Sequence, residues 1–307
     1  MHLAEGTLPL EQALTWSAIA LPPLIWSLKG EKNIADEEST SNSLISGATS
    51  LLFAVTLLPL PIPVIGATSH ICFTPIFALM LGVRRTIWAT FFVLLLQALF
   101  FAHGGITTLG VNTLTLGVLG PLTAVATFKL GRKLGFNTLL MVGISCAFAD
   151  IFVYVTDAAV LALGLSDVVS VKETFVLALL GFAPVQVPLA VLEGGISIAI
   201  VKLLSKRKPE ILPKFLQDDF LPLENIATTL MIFISVIGLS GCTYEGIDGS
   251  VFGEIASQHG QAPSSSLIDL STGELGLAMT ILILFSLGFV AGQTWERIFG
   301  VRDEFKG

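Results

Sequence analysis

Runs of about 20 mostly apolar residues recur along nearly the whole chain, the length a helix needs to cross a hydrocarbon core ~30 Å thick. Inside lipid every backbone amide and carbonyl must be paired within the protein, and runs this long and apolar do so as helices rather than barrel strands. Composition agrees with that setting. Hydrophobic residues make up 53% of the 307, charged residues 13%, and the mean hydropathy is +0.84, whereas a soluble domain carries about 25% charged residues. The runs predict an all-α integral membrane protein with nine helices, near 12–28, 44–60, 71–83, 86–102, 112–130, 137–164, 175–203, 225–241 and 275–294.

Positive charge orients these helices. With the N-terminus outside, 15 of the 16 Lys and Arg residues fall on inner segments: Lys29 and Lys32, Arg84 and Arg85, Lys129, Arg132 and Lys133, Lys202 to Lys214, and Arg297, Arg302 and Lys306. Lys172 is the exception. The positive-inside rule thus predicts an extracytoplasmic N-terminus and a cytoplasmic C-terminus in the cell (inner) membrane. A charged, proline-bearing stretch, 205–224, reads as a cytoplasmic linker between a seven-helix bundle at 1–204 and a two-helix unit at 225–307. The two helices of that second unit flank an acidic extracytoplasmic loop, 242–274, with a flexible HGQAPSSS stretch. The first apolar run follows Glu5 and Glu11 with no Lys or Arg before it, unlike a cleavable signal peptide. Met1 and His2 are therefore expected to persist.

The four histidines, His2, His70, His103 and His259, all map to the outer side of this topology. Imidazole suits Ni²⁺, Co²⁺, Cu²⁺ and Zn²⁺, and donors on an outer face are placed for capture. In Met1-His2 the α-amine, the His2 amide nitrogen and Nδ1 of His2 can close two fused chelate rings. Nitrogens held in one plane favour the geometry of Ni²⁺ or Cu²⁺ over tetrahedral Zn²⁺. A chance histidine at a chain terminus is the equal alternative on chemistry alone. The fourth donor would be His70, in the loop PIPVIGATSH, or His103, in FFAHGGITTLG. Irregular backbone at this depth must line a cavity or be buried in protein, which favours His70. His103 fits better as a residue orienting a ligand, and His259 as a solvated polar residue. Asp150 and Asp157, seven apart on one helical face, and Glu193 lie inside apolar helices with no basic partner; they read as hydrogen-bonded contacts between helices. Cys72, Cys146 and Cys242 are too scattered for a disulfide framework or thiolate site and read as packing residues.

The chain has no Walker-type phosphate loop and no zinc-protease motif, so no ATP hydrolysis by that route is expected. Ser69-His70 lacks the elbow of a serine hydrolase. The reading is therefore a non-enzymatic transport component, with no nucleic-acid partner.

The blocks MHLAEGTLP, PVIGATSH, LLLQALFFAHGGITTLGVN, ADIFVYVTDAAVLAL and APVQVPLAVLEG, in this order over about residues 1–204, resemble the CbiM/NikM family. These are substrate-binding components of energy-coupling-factor nickel and cobalt transporters. The pair of helices at 225–294 looks like the accessory CbiN/NikN component fused to the same chain. The resemblance implies a Ni²⁺ or Co²⁺ ion held by the amine of Met1, the amide and imidazole of His2, and His70. His103, Gln97, Asn112 and Thr68 would support these ligands. It also implies partners: a transmembrane coupling component and two ATPase subunits. Small residues such as Ala13 and Ser17 in the first helix are expected to pack against the coupling component. The loop reads I-G-A-T-S-H where the family commonly has T-G-T-S-S-H, so a supporting hydroxyl is lost at Ile65 or Ala67.

Fusion to the accessory unit and the planar chelate lean toward nickel. Glu5 in MHLAEG resembles the cobalt branch, which would feed cobalamin synthesis. Two other classes compete. A secondary transporter would show inverted repeats, and no repeat is visible; a component for an organic vitamin would have no need of a terminal chelate.

Overall fold

A computed structural model describes residues 2–3, 5–28, 38–57, 60–62, 67–101, 103–166 and 170–217. Met1, His259 and the second unit expected at 225–307 lie outside the described residues. Helices occupy the apolar runs: α1 (Leu10–Leu28), α2 (Glu38–Leu57), α3 (Thr74–Leu81), α4 (Val83–Phe101), α5 (Leu109–Asn112), α6 (Gly120–Lys133), α7 (Thr138–Gly164) and α8 (Val171–Arg207). Among the described residues, four stretches are long and apolar enough to cross a membrane, at Val83–Phe101, Leu109–Lys133, Thr138–Gly164 and Val185–Arg207. Local chemistry sets their ends. Gly135, with φ of 85°, closes α6 in the left-handed region, where a residue without Cβ is unstrained, as the amide of Phe136 reaches back to Gly131 O at 3.1 Å. Asn137 then caps α7, its Oδ1 accepting from the amides of Leu139 at 2.9 Å and Leu140 at 3.3 Å.

Three features depart from the sequence expectations. The run 112–130, expected as one helix, is α5 and α6 joined end to end by a π-helical stretch, Thr113–Leu119. Its wider coil leaves Leu116 O to accept from Thr74 Oγ1 at 2.8 Å, tying this rod to the first turn of α3. The loop before α3 carries a short antiparallel hairpin, β1 (Leu60–Ile62) with β2 (Ala67–Ser69), in which Leu60 pairs with Ser69. The stretch after residue 204 begins as helix: α8 continues to Arg207, two 3-10 turns follow, and Leu212 and Leu216 are buried in the bundle.

Buried apolar residues form two main groups. One, around Leu52, Phe77, Leu139, Val142, Val201 and Leu216, joins α2, α3, α7 and α8. The other brings the N-terminal Leu3 and Leu8 against Leu94, Val111, Val153 and Tyr154 of α4, α5 and α7. The chain before α1 is thus packed inside the bundle. Helix α1 also turns its small residues inward: Ala13 is buried, and a Cβ on Gly110 would meet Ser17 Cα at 2.4 Å. That runs against the expectation that Ala13 and Ser17 meet a partner protein, because Ala13 is buried within the bundle and Ser17 lies against Gly110 of α5. Large apolar side chains instead point outward from α1 (Leu10, Leu14, Ile19) and from α7 (Leu140, Ile144, Phe148). The α7 residues recur every fourth position, so they form one stripe.

Candidate metal centre

The N-terminal strand of chain is fixed by the loop after α4. Asn112 pairs with Leu3 as a neighbouring strand would: its Oδ1 accepts from the Leu3 amide at 2.9 Å and its Nδ2 donates to Leu3 O at 3.1 Å. Thr108 Oγ1 donates to the same carbonyl at 2.6 Å. Glu5 Oε2 accepts from the Thr107 amide at 3.1 Å. The two chains run so close that a Cβ on Gly105 would fall 2.6 Å from Glu5 Cα. Gly104, with φ of 80°, makes the turn after His103. A packed Leu3 and four side-chain-to-backbone bonds leave His2 little freedom.

His2, His70 and His103 come together. The ring centroids of His2 and His70 are 4.6 Å apart, those of His2 and His103 4.6 Å, and those of His70 and His103 6.0 Å. One ring nitrogen from each lies within 4.8 Å of the others. His2 and His70 are buried, and His2 Nδ1 and Nε2, His70 Nε2 and His103 Nε2 have no hydrogen-bond partner. Buried polar atoms are ordinarily paired, so orphaned imidazole nitrogens on all three rings, one from each within reach of the others, form a donor set awaiting an acceptor of lone pairs. Nδ1 of His70 sits 3.3 Å from Ile71 O. A proton shared there leaves the Nε2 lone pair free for an ion. Burial pulls all three imidazoles below their ordinary pKa, His2 and His70 well below it and His103 to about 4. Each is therefore neutral, the form that binds metal.

The expected supporting residues divide. Asn112 holds the backbone beside His2, as described. Gln97 reaches the site through its neighbours: its Nε2 donates to Phe53 O at 3.1 Å and Thr56 Oγ1 at 2.8 Å, tying α4 to α2, while its main-chain carbonyl accepts from the His103 amide at 3.2 Å. Thr68 lies on β2, opposite Pro61. His103 is brought to the same distance from His2 as His70. Sequence reasoning passed over Thr108 and the structural part played by Glu5. Their signal was the polar, glycine-bearing stretch HGGITT next to a histidine, a stretch with no place in an apolar helix.

Below His70, Glu193 of α8 fixes the chain entering α3. Its Oε2 accepts from the Cys72 amide at 2.8 Å and its Oε1 from the Phe73 amide at 3.0 Å. Phe73 has a φ of 55°, the one described non-glycine residue in the left-handed region. Such strain persists only where the surroundings impose it, and these two bonds do so three residues from His70. Asp150 of α7 accepts from Gln186 Nε2 of α8. Asp150 and Glu193 therefore make hydrogen bonds between elements, as expected.

Comparison with known proteins places these features in one context. A family described as "Cobalt uptake substrate-specific transmembrane region" matches residues 2–211. A cobalt transport protein, CbiM, of Geobacter sulfurreducens is 31% identical over 317 residues, spanning 99% of this chain and 92% of the relative. Another from Sorangium cellulosum is 36% identical over 214 residues, spanning 70% and 95%. A solved transition metal transporter superposes with a TM-score of 0.60 at 21% identity, over 71% of this chain and 96% of its own, and so shares the fold. A truncated one gives 0.59 over 67% and 99%.

Proposed function

The chain belongs to the CbiM family, and from that premise we propose that it captures Co²⁺ or Ni²⁺ at the buried histidine cluster for uptake into the cell. The observation that carries the reading is the convergence of His2, His70 and His103 with their nitrogens unpaired. In this reading the amine of Met1, the His2 amide nitrogen and His2 Nδ1 supply three nitrogens, and His70 Nε2 supplies the fourth. His103 stands edge-on to His2, 83° between ring planes, and confines that ring. Asn112 and Thr108 hold the Leu3 backbone so that the chelate stays formed. The relatives are named for cobalt, which supports cobalt as cargo; a planar nitrogen set supports nickel.

The rest of the assembly follows the same reading. The chain is the substrate-binding component of an energy-coupling-factor transporter, working with a transmembrane coupling protein and two ATPase subunits. The N-terminus faces outward and residues 225–307 form a CbiN/NikN-like accessory unit. Alignment with the Geobacter relative over 99% of this chain supports a two-unit chain as a shared arrangement.

The test is metal content of the purified protein after growth with both ions. His2→Ala and His70→Ala should each lose the tightly bound ion, while His103→Ala should weaken it. One residue added before Met1 should abolish tight capture, because it moves the amine off the chelate. Full metal content in His2→Ala, or in the extended chain, would overturn the terminal site.

A further inference from the structure

A second donor set lies inside the bundle, built from residues the histidine site does not use as ligands. Cys72, Asp150 and Glu193 come from the turn before α3, from α7 and from α8, and all three are buried. One ligand atom of each, a sulfur and two carboxylate oxygens, lies within 4.8 Å of the others. Two carboxyl groups in an apolar bundle are costly unless something offsets their charge. In the helices around them, α3, α7 and α8, Lys and Arg stand only at the ends of α8: residues 74–81, 138–164 and 173–201 contain none. Both oxygens of Glu193 accept backbone amides, a pattern that suits the ionised form and leaves lone pairs over. Gln186 donates to Oδ2 of Asp150 and so fixes the carboxylate, the Cys72 thiol lies in hydrogen-bond contact with the same carboxylate, and Oδ1 is buried with no nitrogen or oxygen donor on it.

We propose that Cys72, Asp150 and Glu193 form a second divalent-metal site, which takes a transition-metal ion such as Co²⁺ through one sulfur and two carboxylate oxygens. A mixed sulfur and oxygen set selects a borderline ion over hard Mg²⁺ or Ca²⁺, which prefer oxygen alone. The thiol proton leaves as the ion enters, and the two carboxylates then lie against a dication. Because Cys72 follows His70 by two residues, the site is the next donor set along the chain from the histidines. It stands on its own residues and does not depend on how the histidine cluster is read.

The experiment is titration of the purified full-length protein with Co²⁺, followed by absorbance and by counting bound ions. Unaltered protein should show a near-ultraviolet sulfur-to-cobalt charge-transfer band and should bind one ion more per chain than Cys72→Ser, in which the band disappears. Cys146→Ser should keep the band, and Asp150→Asn should weaken the band-forming ion at least about tenfold. The double variant His2→Ala/His70→Ala should keep the band while losing the other ion, so the two sites fail separately. Absence of the band from unaltered protein, or its survival in Cys72→Ser, would overturn the proposal.

Discussion

Asn112 is a side chain with both amide donors engaged that holds the chain beside the candidate metal centre. Its carboxamide makes both backbone bonds to Leu3, at 2.9 and 3.1 Å, and Leu3 is the residue after the proposed ligand His2. Asn112→Ala leaves a buried amide unpaired, a loss of roughly 1–3 kcal/mol, and frees the chelating segment. Metal affinity should fall about 10–100-fold, as for other residues that orient a ligand, with both histidines still present. Calorimetric titration reads this, and an unchanged affinity would show that Thr108 alone holds Leu3. The histidines carry a pH dependence of their own. Burial keeps them neutral in the folded protein, with His103 drawn down to about 4, so the unfolded chain takes up protons first, near pH 6.5. Metal-free stability should therefore be full above about pH 7, fall as the pH drops through 6.5, and reach its full loss only below the folded values. Thermal unfolding between pH 8 and pH 5 measures the slope; a flat profile would mean that the three rings titrate as they do in water.

Packing of whole elements rests on α7 and α8, where glycine lets two backbones meet. A Cβ on Gly194 would lie 2.7 Å from Gly143 O, and a backbone carbonyl in a helix cannot turn aside as a side chain can. Gly194→Ala should wedge the pair apart and lower stability by about 1–3 kcal/mol. The melting temperature of detergent-solubilised protein should drop, and an unaltered one would mean that the two helices can slide. Gly194 adjoins Glu193, so separation should also loosen the amides of Cys72 and Phe73. At this scale the sequence was most legible for α4, α7 and α8, whose long apolar runs record the local cost of placing polar groups in lipid. It was least legible where tertiary contact decides. Nothing in the run 112–130 marks its π-helical stretch, which is positioned by Thr74 and the neighbouring α3. Ala13 and Ser17 are small in sequence whichever way α1 faces, and only Gly110 shows that they face inward.

For the whole molecule, the candidate site was readable as far as its blocks of sequence reached, and no further. His2 and His70 stood out as candidate ligands through the family blocks, because on chemistry alone a histidine at a chain terminus is as easily chance, and only the irregular loop before α3 favoured His70 over His103. The equal approach of His103 was not legible, because it depends on Gly104 and Gly105 letting the N-terminal strand press against the loop. The cluster of Cys72, Asp150 and Glu193 was hidden for the same reason: its hydrogen bonds join residues 121 apart in the chain, so each looked like an isolated packing or polar residue. All contacts of both clusters described above lie between residues 2 and 193, before the stretch where Leu212 and Leu216 bury themselves and Gln217 Nε2 donates to Pro209 O at 2.9 Å and Leu212 O at 2.7 Å. A chain ended after Gln217 keeps every one of these bonds and every described residue of both apolar groups. Such a chain should bind the histidine-held ion with an affinity within about threefold of the full protein, a difference under 1 kcal/mol. Equilibrium dialysis of the two proteins against Co²⁺ and Ni²⁺ measures it. Loss of binding on truncation would mean that residues 218–307 complete the metal centre, and would move the search for the fourth ligand to that part of the chain.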